Sequence, residues 1–144
     1  MSRTIVTGVD GSETAAKAAH TAAELAQALD AQLYVLSAYG KYHADTFNSG
    51  EEEIVFSTAK DAEHTAEGTV AQLRHDFPGL RIVAAPAEGK PGDALVKAAQ
   101  RLQADLIVVG NKRVQGLARV LGSVARDVAA QAPCDVYVAH THDR

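Results

Sequence analysis

Leu106-Ile107-Val108-Val109 is a run of four apolar residues that stops at Gly110, and it constrains the fold more than any other stretch. A strand with one wet face alternates apolar and polar side chains. A strand without that alternation is covered on both faces, as in a parallel sheet with helices above and below. The backbone then passes through Gly116 and Gly122 before Ser123-Val124 opens a new apolar-periodic segment that reads as a helix start. Glycine lets amides approach a ligand closely, and a helix start offers unpaired N–H groups with partial positive charge. The combination suits a phosphate. Lys112, Arg113, Arg119 and Arg126 lie between Asp105 and Asp127 with no carboxylate among them, in a chain of net charge −4. That local excess of cations attracts an anion, the alternative being a solvated basic face. Ser123 has an alternative of its own as an N-cap.

Upstream, Arg3 to Val9 reads as a strand that ends in Val9-Asp10-Gly11-Ser12. A carboxylate after a first strand, followed by Gly and a capping Ser, is a βα turn of the kind where open α/β sheets place their ligands. Asp10 is therefore a candidate for a ribose hydroxyl or a metal ion, or else a turn aspartate bonded to its own backbone. Glu13 to Leu29 is expected as a helix with a stripe at Ala15, Ala18, Ala22, Leu25 and Leu29. Leu33 to Ala38 reads as the second strand, with Ala38 and Tyr39 at its end placed to touch a flat base. Tyr39 to Gly50 reads as a polar loop, and Glu51 to Asp76 as a long helix with a stripe from Val55 to Leu73. A third strand (Leu80 to Ala85), a helix opened by Pro91, the strand from Asp105, a helix from Ser123 to Ala132 and a last strand, Asp135 to His140, complete the order.

This order predicts an α/β fold: a doubly wound, Rossmann-like sheet of five parallel strands with four helices and right-handed crossovers. The ends of its first and fourth strands meet at a switch point, which brings Asp10 near Gly110. A length of 144 residues fits one domain spanning 1–144. Aromatics are only 5% of the chain and no basic run is interleaved with them, so nucleic acid is not an expected partner. No stretch approaches the roughly 20 apolar residues of a membrane span, and no apolar run at the start resembles a signal peptide. A cytoplasmic protein is expected, in keeping with a single cysteine, Cys134, read as a small packing residue. There is no Gly-x-Ser-x-Gly elbow, His-Glu-x-x-His helix or Walker-type Gly-Lys-Ser/Thr, so no enzymatic turnover is expected beyond a slow hydrolysis with Asp10 activating a water.

The sequence words Val9-Asp10-Gly11-Ser12, Gly89-Lys90-Pro91-Gly92-Asp93, Ala104 to Gly110, Gly122-Ser123-Val124 and Ala132-Pro133-Cys134-Asp135-Val136, in this order, resemble the universal stress protein family over nearly the whole chain. The resemblance implies strand order 3-2-1-4-5, the adenine nucleotide alpha-hydrolase-like arrangement, and a homodimer joined through the last strand. It also implies an adenine nucleotide held by Asp10, Gly110, Gly122, Ser123 and Val124. Gly11, Ser12, Ala38, Val109, Lys112, Arg113 and Gly116 are the neighbouring candidates. ATP-binding members carry Gly, two residues, Gly, nine residues, then Gly with Ser or Thr. Here Arg113 stands at the middle glycine and eight residues separate it from Gly122. AMP and cyclic AMP therefore stand beside ATP with Mg²⁺ as expected ligands of a stress-response regulator. The competing expectations are a dimer that acts by protein contact without nucleotide and a slow ATPase. Dimerisation has a physical motive too, since Asp135 to His140 is a short edge strand that a twin would cover.

Overall fold

The structure, a computed structural model, describes residues 3–45, 52–111 and 122–141. Its elements in chain order are β1 (Arg3–Gly8), α1 (Glu13–Leu29), β2 (Ala31–Asp45), β3 (Glu52–Ser57), α2 (Ala59–Asp76), β4 (Ile82–Glu88), α3 (Pro91–Leu102), β5 (Leu106–Gly110), α4 (Ser123–Gln131) and β6 (Asp135–Ala139). The parallel strands lie in the order β4-β2-β1-β5-β6. With the antiparallel β3 set aside, this is the expected order 3-2-1-4-5.

The apolar strands divide their side chains between two faces because successive residues point to opposite sides. Ile5, Leu33, Val35 and Val108 face one core with α1 and α2. Val6, Leu36, Ile107 and Val109 face the other with α3 and α4. Both faces are covered, which is why Leu106 to Val109 needs no alternation. α1 presents Ala18, Ala19, Ala22, Ala23 and Ala26, all buried, and small side chains bring it close to the sheet. The expected stripe is displaced by this packing: Ala15 and Leu25 are only partly buried and Leu29, at the helix end, is 39% exposed.

The order of the strands is held at its centre. Thr7, fully buried, donates its hydroxyl to the carbonyl of Val108 at 2.9 Å. At the strand start the N–H of Thr4 donates to Asp105 Oδ2 at 2.8 Å, and the N–H of Asp105 returns a bond to the carbonyl of Thr4 at 2.8 Å. Beyond β1, the N–H of Val9 still donates to the carbonyl of Leu36 at 2.8 Å, so the chain leaves the sheet only at Asp10.

Two expectations are corrected. Tyr39 to Asp45 is not loop: β2 runs on to Asp45, and Gly40 to Asp45 pair antiparallel with Ser57 to Glu52. The second helix does not begin at Glu51. Residues 52–57 form β3, consistent with the β preference of Ile54, Val55 and Phe56. The helix starts after Thr58, whose hydroxyl accepts from the N–H of Asp61 at 3.1 Å while Asp61 Oδ2 accepts from the N–H of Thr58 at 3.2 Å. This reciprocal cap is a strong local start signal.

Cys134 packs against the second core, and burial, with Asp135 and Asp105 nearby, pushes its thiol above the ordinary value. It is a packing residue. β6 forms one edge of the parallel sheet, with Tyr137 44% and Val138 36% exposed. Among the described residues, no helix is long and apolar enough to cross a membrane.

α3 and α4 pack side by side over the second face, and their contact depends on a missing side chain. A Cβ at Gly92 would stand 2.7 Å from Asp127 Cβ, closer than side-chain carbons approach. Gly92→Ala is expected to lower stability by about 1–3 kcal/mol through overpacking. A fall in the urea midpoint at unchanged slope is the expected reading; an unchanged midpoint would mean that the two helices separate without penalty.

Candidate functional site

The crossovers that follow β1 and β5 cover opposite faces of the sheet, so their first residues diverge and leave a crevice at the strand ends. It encloses about 570 Å³, within the usual range for a small-molecule site. Its floor is the end of β1 with Val109 and Gly110 of β5. Leu36 to Ala38 of β2 form one wall, and the first turns of α3 and α4 form the other.

Two features set its chemistry. The first is the start of α4. Gly122 occupies the N-cap with φ −68° and ψ 168°, and having no side chain it leaves the first amides of α4 uncapped. Gly122 to Ala125 all line the cleft. By contrast, the start of α1 is occupied by Ser12, whose Oγ accepts from the N–H of Ala15 at 3.2 Å, and that of α2 by Thr58. Ser123 is thus the first residue of the helix rather than its cap, which corrects the alternative reading of that side chain. The uncapped amides and the helix dipole give the crevice a positive end.

The second feature is the βα turn after β1. Asp10 Oδ1 accepts from the N–H of Ser12 at 2.9 Å, so the turn reading of Asp10 holds. The residue is nonetheless exposed and lines the cleft. Gly11 takes φ +87°, a conformation that side-chain-bearing residues rarely adopt, and lets the chain turn from strand to helix.

Most of the sequence-predicted residues come together here. Asp10, Ser12 and Ala38 line the cleft from β1 and β2, and Val109, Gly110, Gly122, Ser123 and Val124 from β5 and α4. Gly11 shapes the turn without lining the cavity, and Tyr39 does not line it. Lys112, Arg113 and Gly116 lie outside the described residues. Gly110 carries a packing demand as well: a Cβ there would meet Thr14 Cγ2 at 3.2 Å and Thr141 Cγ2 at 3.3 Å.

The structure adds residues that the sequence reading missed. Lys90 and Pro91 enter from the turn after β4, and Ser57, Asp61 and Thr65 from the β3–α2 junction. The Gly-Lys-Pro-Gly-Asp turn was the available signal for Lys90, because it too follows the carboxyl end of a parallel strand. Thr58-Ala59-Lys60-Asp61 was the signal for Asp61. Hydrogen bonds from the backbone and hydroxyl of Thr58 hold the Asp61 carboxyl below its usual range. Among the described residues, no three side chains of His, Cys, Asp or Glu converge as a metal site would require.

A doubly wound sheet with a crevice at its switch point and a bare helix start in it defines an open α/β protein with its cleft at the carboxyl ends of the strands. Comparison with known proteins narrows the class. The family model for the universal stress protein family matches residues 1–140. Universal stress protein Rv1636 of Mycobacterium tuberculosis is 35% identical, over 96% of this chain and 97% of the relative. Universal stress protein MJ0531 of Methanocaldococcus jannaschii is 32% identical over 93% of this chain and 79% of its own length. A universal stress protein solved in complex with cAMP superimposes with a TM-score of 0.74 at 29% identity, covering 98% of each chain. The chain belongs to the universal stress protein family.

The cap on α2 yields a prediction with a pH sign. Since the folded pKa of Asp61 is depressed, the stabilisation its ionised form gives the cap is present at neutral pH and lost as pH falls through that pKa. Thr58→Ala is expected to destabilise α2 by about 1 kcal/mol at neutral pH. It should also move the Asp61 carboxyl part of the way toward its ordinary titration, since the hydroxyl is lost while the N–H of residue 58, the larger cause, remains; side-chain NMR follows the change. An Asp61 titration unaltered by the substitution would contradict the capping account.

Proposed function

We propose that the protein binds an adenine nucleotide in this cleft and acts as a nucleotide-dependent regulator in a stress response. The observation that carries the reading is the start of α4: its first amides are uncapped and open onto the crevice beside Asp10. A phosphate there would accept from amides of the Gly122-Ser123-Val124 turn, with the Ser123 hydroxyl as a further donor. Asp10, whose Oδ1 is engaged by Ser12, has its second oxygen for a ribose hydroxyl. Ala38 and Leu36 supply an apolar edge for the base. Lys112, Arg113 and Gly116 belong to the same site on the sequence reading. The relative solved with cAMP supports the adenine nucleotide class.

Within that class AMP, cyclic AMP and ATP are the ligands to compare. Mg²⁺ would accompany ATP, with Asp10 a carboxylate lining the same cleft. The working form is a cytoplasmic homodimer in which β6 pairs antiparallel with its twin, covering Tyr137 and Val138.

Mass spectrometry of nucleotide released from natively purified protein, with calorimetric titration of the three ligands, tests the reading. At least one adenine nucleotide is expected to bind, and Gly122→Val to weaken it at least tenfold by crowding the helix start. Absence of bound nucleotide and of heat with all three would overturn it in favour of a dimer that works by protein contact alone. Light scattering is expected to give twice the monomer mass, and a monomer at micromolar concentration would remove the β6 interface.

A further inference from the structure

Among the described residues that line the cleft, Lys90 is the one cation, against the carboxylates Asp10 and Asp61. It is the N-cap residue of α3 and makes no side-chain cap of its own. Its ammonium lies 3.4 Å from Asp127 Oδ2, with the lysine side chain 42% and the aspartate 29% exposed. That separation exceeds the roughly 2.7–2.9 Å of a charge-assisted hydrogen bond. Asp127 Oδ2 is moreover shut off from solvent and forms no hydrogen bond among the described residues. The pair is held by charge rather than by directed bonding. Asp127 can stand there only because Gly92 has no Cβ.

Asp127 is on α4, four residues past Ser123, a rise of about 6 Å from the helix start. The ammonium thus pairs with a residue about one helical turn along α4 from the uncapped amides, and it sits on a flexible stem of four carbons. A phosphate at those amides is a stronger anion than one carboxylate, since a monoester carries about −1.5 to −2 near neutral pH. A cyclic phosphodiester carries a single charge and a nucleoside none.

We propose that Lys90 is the residue that reads ligand charge in this cleft, held by Asp127 when the site is empty and drawn to the phosphate when it fills. The inference rests on the nucleotide reading above. Asp127 is an internal competitor for the ammonium, so binding favours ligands whose phosphate outbids one carboxylate. The order of dependence on Lys90 is AMP, then cyclic AMP, then adenosine. Asp127 also opposes the incoming phosphate by its own charge.

The test is calorimetric titration of AMP, cyclic AMP and adenosine into the unmodified protein and into Lys90→Gln, Lys90→Arg and Asp127→Asn. Lys90→Gln is expected to weaken AMP on the order of tenfold, cyclic AMP less and adenosine not at all. Lys90→Arg, which keeps the charge, should retain the order of ligands. Asp127→Asn is expected to strengthen AMP by a few-fold, and the gain should shrink as salt is raised. These opposite signs separate ligand reading from a structural ion pair, whose partners would both weaken binding when removed. Unchanged AMP affinity in Lys90→Gln, or weaker binding of AMP by Asp127→Asn, overturns this inference while leaving the nucleotide reading intact. Failure of the unmodified protein to bind any adenine nucleotide overturns both.

Discussion

The pairing of β1 with β5 is the constraint on which the rest depends. It joins residues 101 positions apart, Thr7 to the carbonyl of Val108 and Thr4 to Asp105, and it sets the last third of the chain beside the first strand. Such a contact closes a long loop, and the entropy of closure must be recovered by burial. Here Ile5 and Val108 are sealed under α1 and α2, and Val6 and Ile107 under α3 and α4, with none more than 1% exposed. With that pair in place the crossovers leave in opposite directions, and the crevice at the strand ends follows from topology rather than from any loop of its own.

Into that crevice the chain brings charge of both signs with unequal freedom. Asp10 is half committed to Ser12 and Asp61 to the cap of α2. The start of α4 is uncommitted because Gly122 has no side chain to offer it, and Lys90 is only loosely engaged with Asp127. The anionic groups are thus each engaged through one oxygen, while the helix start is open and the lysine is held by charge alone. That asymmetry is what supports the proposal of a phosphate-bearing ligand, and it depends on what each helix start does with its first amides.

Much of this was legible in the residues. Leu106 to Val109 marked a strand covered on both faces, and Ser12 marked the start of α1 at the residue where the structure has it. Asp10, Gly110 and Gly122-Ser123-Val124 were recognisable because they sit at strand ends and a helix start, where local signals are strong. The second helix was misplaced because Val55 lies four residues before Ala59, which extends the helical stripe backward into what is β3. Periodicity has no boundary of its own; the reciprocal bonds of Thr58 and Asp61 supply one. The outer half of β2 read as loop because its partner β3 lies beyond the parallel sheet and its residues are polar. Lys90 and Asp127 were out of reach for another reason. Their meeting depends on α3 and α4 touching at Gly92, a tertiary contact with no periodic trace in the sequence.

The central claim is that the uncapped start of α4 receives the phosphate of an adenine nucleotide. Backbone amide NMR tests it most directly, by titrating AMP into protein labelled with nitrogen-15 and following each N–H. The account predicts that the largest shifts fall on the amides of Ser123, Val124 and Ala125, with downfield proton movement as they donate to the phosphate, and that adenosine fails to reproduce them. Shifts centred elsewhere on the molecule, or equal shifts at these amides with adenosine, would contradict it.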